Sequence, residues 1–127
     1  NNHPIHFDHH YASKTPFGRP RVNSAFTLAV VTGLTVLDMS YRSIANLEWE
    51  HIRMPAPVFA GDTLYAESTV VEKRESKSKP DRGIVTIDTR AYNQRGELVM
   101  EFRRKSLAAK KGSGAIPDYE NIPLDGK

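Results

Sequence analysis

The sequence predicts an α+β domain in which one long helix packs against an antiparallel sheet. Two observations lead to this prediction. Residues 25–37 are apolar on almost every side of a helical wheel, which is typical of a helix enclosed by the core. From residue 44 onward apolar and polar side chains alternate, and a period of two is typical of strands. A chain of 127 residues is long enough for one such domain with its own core.

The first 23 residues are predicted to form turns and one short helix. Asp8 can cap a helix over residues 9–14, because its carboxylate accepts N–H groups from the first turn. Pro16 ends this helix, since the residue before a proline avoids the helical region.

The long helix follows directly. Asn23 or Ser24 is suited to cap its first turn. The apolar run that begins there predicts a helix buried on most of its sides. Gly33, within the run, predicts the close approach of another backbone.

Four later segments have the alternation of strands. They are residues 44–53, 63–74, 83–92 and 97–109. The last two are joined by a predicted hairpin turn at 93–96, which ends in glycine. Strands that follow one another in this way predict an antiparallel meander wrapped on the helix. We assign residues 1–110 to this single domain and residues 111–127, which have little apolar content, to an irregular tail.

The composition narrows the classes of partner. Lys and Arg (18) nearly balance Asp and Glu (15), and the net charge of +3 is scattered along the chain, so a nucleic-acid partner is not favoured. A mild basic excess suits a small ligand that carries phosphates. The longest apolar run is too short to span a bilayer, and no secretory signal is present. We therefore expect a cytoplasmic protein with neither a membrane nor a nucleic-acid partner.

His6 is the leading candidate for chemistry. Its imidazole can take or give a proton near neutral pH, and Pro4 stiffens the loop that carries it. The alternative is a loop histidine that is only packed or solvated. The neighbouring histidines do not have the spacing of metal ligands, the chain has no cysteine and no His-Glu-x-x-His motif is present. We therefore predict no metal site.

Backbone groups at the start of the long helix are a second candidate. The N–H groups at Ser24 point at whatever lies before the helix, and the helix dipole adds positive potential there. Such donors would stabilise the negative oxygen that develops on a thioester carbonyl. The alternative is ordinary helix capping, and the two roles can coexist. For Asp8 and Asp62 we expect capping of their own backbone rather than acid catalysis.

Together these residues resemble the MaoC-like dehydratase family, the (R)-specific enoyl-CoA hydratases of the hot-dog fold. That family carries Asp-x-Asn-Pro-x-His followed by x-Asp, then Phe-Gly-x-x-Ile, and then His-Gly at the start of its buried helix. The matching runs here are NNHPIHFD at 1–8, FGRPR at 17–21, Asn23-Ser24 and PVFAGDTL at 57–64. The resemblance extends from residue 1 to about residue 110 and does not cover the tail.

The resemblance implies a hot-dog fold, with a long central helix wrapped by an antiparallel sheet, and pairing into a homodimer or a dimer of dimers. It implies an acyl-CoA thioester as the substrate, with no cofactor besides the CoA of the substrate. His6 falls at the family's catalytic histidine, and Ser24 falls at the glycine whose amide binds the thioester oxygen. The implied substrate-binding positions are Phe17, Gly18, Arg21 and Asn23.

Three positions depart from the family pattern. Asn1 stands where the family has a catalytic aspartate, and asparagine can orient a water molecule but cannot take its proton. His3 replaces an asparagine, and Asn23 replaces a histidine. Three explanations stay open: His6 is the main acid and base while Asn1 positions the water, residues upstream or another subunit supply a carboxylate, or the domain is not catalytic. Because the chain opens directly on this motif without a methionine, we expect upstream residues in the natural protein.

The resemblance implies a hydro-lyase that adds water to a 2-enoyl-CoA or removes it from a 3-hydroxyacyl-CoA. A branched or dicarboxylic acyl group such as mesaconyl is expected, and Arg19, Arg21 or Arg53 could meet the phosphates of CoA. One alternative is an acyl-CoA thioesterase, for which the central helix offers no convincing carboxylate. The other is a non-catalytic hot-dog subunit.

Overall fold

The computed structural model describes residues 2–41 and 43–110. Asn1 and the predicted tail lie outside these residues. After a 3₁₀ turn at Pro4–His6, the elements in chain order are α1 (His9–Ser13), α2 (Ser24–Leu34), a π-helical turn (Val36–Ser40), β1 (Ser43–Arg53), β2 (Tyr65–Glu75), β3 (Arg82–Tyr92) and β4 (Leu98–Ala109). Each predicted helix and strand is confirmed to within a few residues.

The four strands form one antiparallel sheet in the order β1-β4-β3-β2. β2, β3 and β4 form a meander as predicted, but β1 pairs with β4, so the prediction of a continuous meander is wrong at β1. The reason lies in the connection after β1, which pairs with the segment before α2 instead of turning back as a hairpin. Arg21 and Phe59 form an antiparallel bridge there, and the Val22 N–H donates to the Val58 carbonyl at 2.8 Å.

Local side chains set the starts of both α-helices. The Asp8 Oδ1 accepts the Tyr11 N–H at 3.0 Å at the beginning of α1. The Asn23 Oδ1 accepts the Phe26 N–H at 2.9 Å. Of the two predicted candidates, Asn23 is therefore the cap of α2, and Ser24 is the first helical residue.

The core lies between α2 and the sheet. Val31 of α2 is fully buried, and it belongs to one apolar cluster with Met100 and Phe102 of β4. The other buried members are Val58, Ala91 and Val99. Because Val58 comes from the connection after β1, burial of this cluster holds that connection against the first turns of α2.

The expectation that the long helix is buried on most sides is wrong for the described residues. The buried positions of α2, Thr27 and Val31, lie on one face, and Thr35 just after the helix is also buried. Phe26 of α2 is 60% exposed, and Leu37 of the π-helical turn is 81% exposed, because the sheet covers a single side of this segment. No helix in the described part of the chain is long and apolar enough to cross a membrane.

Gly33 also differs from its prediction. Apart from its two chain neighbours and the backbone of its own helix, no described atom lies within 4 Å of the position that a Cβ would take at this residue. The close approach of another backbone is therefore absent from residues 2–41 and 43–110, and the glycine is exposed on the helix surface.

Candidate active site

The turn before α1 positions His6. This 3₁₀ turn is capped by the His3 Nδ1, which accepts the Ile5 N–H at 3.1 Å. Ile5 is buried and anchors the turn, while Pro4 restricts the backbone ahead of it. The His6 side chain is therefore held half-buried at the end of a constrained turn.

The hydrogen bond of His6 defines which ring nitrogen can act as a base. The Nδ1 lies 2.8 Å from the backbone carbonyl oxygen of Arg21. Because a carbonyl oxygen only accepts hydrogen bonds, Nδ1 must carry the hydrogen. In the neutral ring the lone pair then lies on Nε2, which is the nitrogen able to take a proton.

A cavity of about 460 Å³ lies beside His6, between the first loop, the start of α2 and the connection after β1. Four of the predicted site residues line it together, namely His6, Phe17, Arg21 and Ser24. Gly18 and Asn23 adjoin lining residues in sequence but do not line the cavity. Asn1 lies outside the described residues, so the structure does not place it.

Ser24 brings the positive end of α2 to the cavity. The first N–H groups of a helix have no partner within the helix. In α2 the Phe26 N–H is taken by the side chain of Asn23, whereas no described acceptor takes the N–H of Ser24. An oxyanion in the cavity would therefore meet an available donor and the helix dipole together.

Arg21 contributes a cation to the same wall. Its guanidinium carbon lies 4.5 Å from the centre of the Phe17 ring. Its Nε is buried and donates to no acceptor among the described residues. The guanidinium carbon of Arg19, by contrast, lies 3.9 Å from the centre of the Phe59 ring, and Arg19 does not line the cavity.

The comparison with known families agrees with this geometry. A family model for the "MaoC like domain" matches residues 1–92. The chain belongs to the MaoC-like family.

Individual relatives of this MaoC-like domain are enzymes and hot-dog proteins. A mesaconyl-CoA hydratase of Cereibacter sphaeroides is 37% identical over 102 residues, which are 80% of this chain and 29% of that protein. An (R)-specific enoyl-CoA hydratase of Aeromonas caviae is 31% identical over 97 residues, which are 76% of this chain and 68% of that protein. A double hotdog-fold structure from Mycobacterium tuberculosis aligns with a TM-score of 0.74 at 23% identity, over 97% of this chain and 40% of that one.

Two facts follow from these matches. The hot-dog fold predicted from the sequence is confirmed. The chain spans under a third of the length of the Cereibacter relative.

The MaoC-like domain also brings to the cavity residues that the sequence did not indicate. They are Val22, Thr27, Met54, Pro55, Ala56, Pro57, Val58 and Val99. Thr27 lies three residues after Ser24, so it shares a helix face with the predicted oxyanion donor, and this spacing is a signal that could have found it. The residues after β1 come from a proline-punctuated connection, which local patterning indicates only as a linker.

The acidic residues of the MaoC-like domain lie elsewhere. Asp62 accepts the Phe59 N–H at 3.0 Å and the Gln94 amide at 2.9 Å, which confirms the predicted structural role. The hydrogen bond from Gln94 is the larger cause, and together the two bonds hold the pKa of Asp62 below its ordinary value. No carboxylate is among the described residues that line the cavity. Within residues 2–41 and 43–110, no group of three His, Asp or Glu side chains could share a metal ion.

Proposed function

We propose that this MaoC-like domain carries the active site of a hydro-lyase, which adds water to a 2-enoyl-CoA or removes it from a 3-hydroxyacyl-CoA. The observation that carries the proposal is the His6 ring, which lines the cavity with its Nδ1 bound to the Arg21 carbonyl. Ser24 lines the same cavity at the start of α2. Two residues that carry a proton acceptor and a backbone donor thus line one space, and the reaction needs both groups.

The proposed hydration uses these two groups in sequence. The His6 Nε2 takes one proton from a water molecule as the water oxygen bonds to C3 of the enoyl group. The electrons of the double bond move towards the thioester, and the Ser24 N–H stabilises the negative charge on its oxygen. The imidazolium then gives a proton to C2, so that one water is added and His6 ends neutral. Dehydration is the reverse.

We infer that the acyl group is branched or dicarboxylic, as in mesaconyl-CoA. The similarity to a mesaconyl-CoA hydratase supports this inference, and so does the cation that Arg21 places on the cavity wall. The chemistry needs only proton transfer and stabilisation of an oxyanion. We therefore propose that no cofactor takes part besides the CoA of the substrate.

The test is hydration of crotonyl-CoA and mesaconyl-CoA by the purified protein, followed by the loss of ultraviolet absorbance of the conjugated thioester. His6→Ala is expected to lower kcat by about 10²- to 10⁴-fold, as general acid–base catalysis contributes this much. The matched control is His9→Ala, because His9 is exposed and does not line the cavity. Equal rates for wild type and His6→Ala would reject the proposal.

A non-catalytic acyl-CoA-binding domain is the second candidate. It is favoured by one observation, that no carboxylate is among the described residues of the cavity wall. This candidate predicts that calorimetry detects binding of crotonyl-CoA by a wild type that does not hydrate it. Asn1→Asp would then restore turnover if a missing carboxylate is the reason.

We also propose that the domain pairs with a second copy, as a homodimer or a dimer of dimers. The support is the uncovered apolar face of α2 and the turn after it, where Phe26, Leu34 and Leu37 are exposed. A contiguous apolar face of this kind is typical of an interface. Analytical ultracentrifugation should give at least a dimer for the wild type and a smaller species for Leu37→Glu. A monomeric wild type would contradict this part of the proposal.

The location of the protein stays a prediction from the sequence. We propose the cytoplasm on the basis of composition. Fractionation of cells that express the protein would test this, and recovery with the membrane fraction would contradict it.

A further inference from the structure

We propose that Arg21 forms an anion subsite inside the cavity, and that this subsite selects thioesters with a carboxylate on C3, the carbon that receives the hydroxyl group. The inference rests on the proposed hydratase function and deepens it. It names the side chain that distinguishes a dicarboxylic acyl group from a monocarboxylic one.

The first observation is a buried donor without an acceptor. The Arg21 Nε is buried and has no hydrogen-bond partner among the described residues. In Arg103 and Arg95 the same atom donates to a carboxylate, in each case at 2.7 Å. A buried donor left without an acceptor destabilises the folded state. No described group therefore neutralises the Arg21 guanidinium at this atom, and an anion held in the cavity beside it would supply the missing counter-charge.

Arg104 shows that burial alone does not make such a subsite. Its Nε is likewise buried without a described partner. However, its Nη2 donates to the Thr35 Oγ1 at 3.1 Å, and Arg104 does not line the cavity. Arg21 differs because the space beside it can hold a ligand.

The second observation is the position of the guanidinium. It lies 4.5 Å from the centre of the Phe17 ring, and both residues line the cavity. Stacking on the ring leaves the edge of the guanidinium, which carries the N–H donors, available to a planar carboxylate. Because no described lining residue is a carboxylate, the cavity itself supplies no counter-charge.

The third observation is the hydrogen bond that joins Arg21 to the proposed base. The backbone carbonyl of Arg21 accepts the His6 Nδ1 hydrogen at 2.8 Å, so one residue carries the anion subsite and orients the base. The attacking water would lie about 3 Å from the base and about 3–3.5 Å from C3. A carboxylate on C3 is one bond further, and we expect it to meet the Arg21 side chain because Arg21 and His6 line the same cavity. The phosphates of CoA lie at the far end of the pantetheine arm, so they fit this position less well.

Two thioesters of the same shape test the proposal. Mesaconyl-CoA carries the carboxylate, and tiglyl-CoA has the same branch and geometry with a methyl group in its place. Arg21→Met keeps an apolar stem and removes the charge. We expect this variant to lower kcat/KM for mesaconyl-CoA by about 10- to 100-fold more than kcat/KM for tiglyl-CoA, which is the range of a charge-assisted hydrogen bond.

The neighbouring arginine provides the matched control. Arg19→Met removes a guanidinium that stacks on Phe59 outside the cavity. The ratio of kcat/KM for mesaconyl-CoA to kcat/KM for tiglyl-CoA should therefore stay at the wild-type value. Arg21→Lys should give an intermediate ratio, because lysine keeps the charge but cannot make a planar pair of hydrogen bonds. An equal loss with both thioesters in Arg21→Met would overturn the proposal in favour of a phosphate-binding or packing role.

Calorimetry separates this proposal from the proposed function. If the wild type hydrates neither thioester, the hydratase function fails, but a tighter Kd for mesaconyl-CoA that is lost in Arg21→Met still upholds the subsite. A wild type that binds both thioesters equally overturns it. If thermal unfolding shows that Arg21→Met is not folded, the test uses Arg21→Lys and the wild type instead. The same comparison of Kd values for mesaconyl-CoA and tiglyl-CoA then decides.

Discussion

The Nδ1 of His6 donates its hydrogen to the backbone carbonyl of Arg21 across 2.8 Å. This bond joins the turn before α1 to the segment before α2, and it leaves Nε2 as the nitrogen that can take a proton. Because the acceptor is a backbone atom, replacing the side chain of Arg21 keeps the bond. Proton transfer and substrate selection can therefore be altered separately.

The cap of α2 allows stability and catalysis to be distinguished. Asn23→Ala removes the acceptor of the Phe26 N–H and should lower the free energy of unfolding by about 1 kcal/mol. Asn23→Asp keeps the cap but places a negative charge beside the Ser24 N–H. It should unfold like the wild type and have a lower kcat, because the charge opposes the developing oxyanion. A wild-type kcat in Asn23→Asp would argue against an oxyanion site there.

The buried contact between Arg104 and Thr35 should respond unequally to its two substitutions. The Arg104 guanidinium donates to the Thr35 Oγ1 at 3.1 Å, and burial lowers the pKa of Arg104. Thr35→Val leaves the guanidinium without this acceptor and should cost about 1–3 kcal/mol. Arg104→Met should cost less or stabilise the fold, because an apolar side chain replaces a buried charge. Urea unfolding of both single variants and of the double variant measures the coupling energy between Arg104 and Thr35. A larger loss of unfolding free energy in Arg104→Met than in Thr35→Val would contradict the expectation.

Two glycines should respond oppositely to alanine. Gly33 has open space where its Cβ would lie, so Gly33→Ala should stabilise α2 by about 0.5–1 kcal/mol. At Gly83 a Cβ would lie 2.7 Å from the Arg74 carbonyl oxygen, so Gly83→Ala should destabilise the protein by about 1–3 kcal/mol. Thermal unfolding measures both. If Gly33→Ala instead weakens self-association, a second copy packs on this face of the helix.

The lowered pKa of Asp62 predicts that the free energy of unfolding depends on pH in the acid range. Hydrogen bonds from the Gln94 amide and the Phe59 N–H hold its pKa below the ordinary value of 3.8. The stabilisation is therefore complete above that ordinary value and is lost as the pH falls through the lower, folded value. Asp62→Asn should be less stable than the wild type by about 1 kcal/mol near neutral pH. This difference in the free energy of unfolding between the wild type and Asp62→Asn should become smaller as the pH falls from about 5 to about 2. Denaturant unfolding over this range is the measurement, and a constant difference would be inconsistent with it.

Features that depend on near neighbours in sequence were predictable. Asp8 caps α1, and the alternation within β3 marks a strand, because capping and side-chain alternation are local. His6 and Ser24 could be selected as site residues for the same reason, since each lies in a recognisable turn or helix start. The pairing of β1 with β4 could not be predicted, because alternation indicates a strand but not its neighbour.

The helices and strands, the MaoC-like pattern and the residues with suitable chemistry follow from the sequence alone. The fold was needed to show that the connection after β1 lines the cavity, that the Arg21 carbonyl selects the tautomer of His6, and that the buried Arg21 Nε has no acceptor among the described residues. The fold also shows that the described residues cover α2 along one face. Burial and hydrogen-bond partners depend on which distant segments meet, whereas helix caps and alternation depend on residues within a few positions of one another.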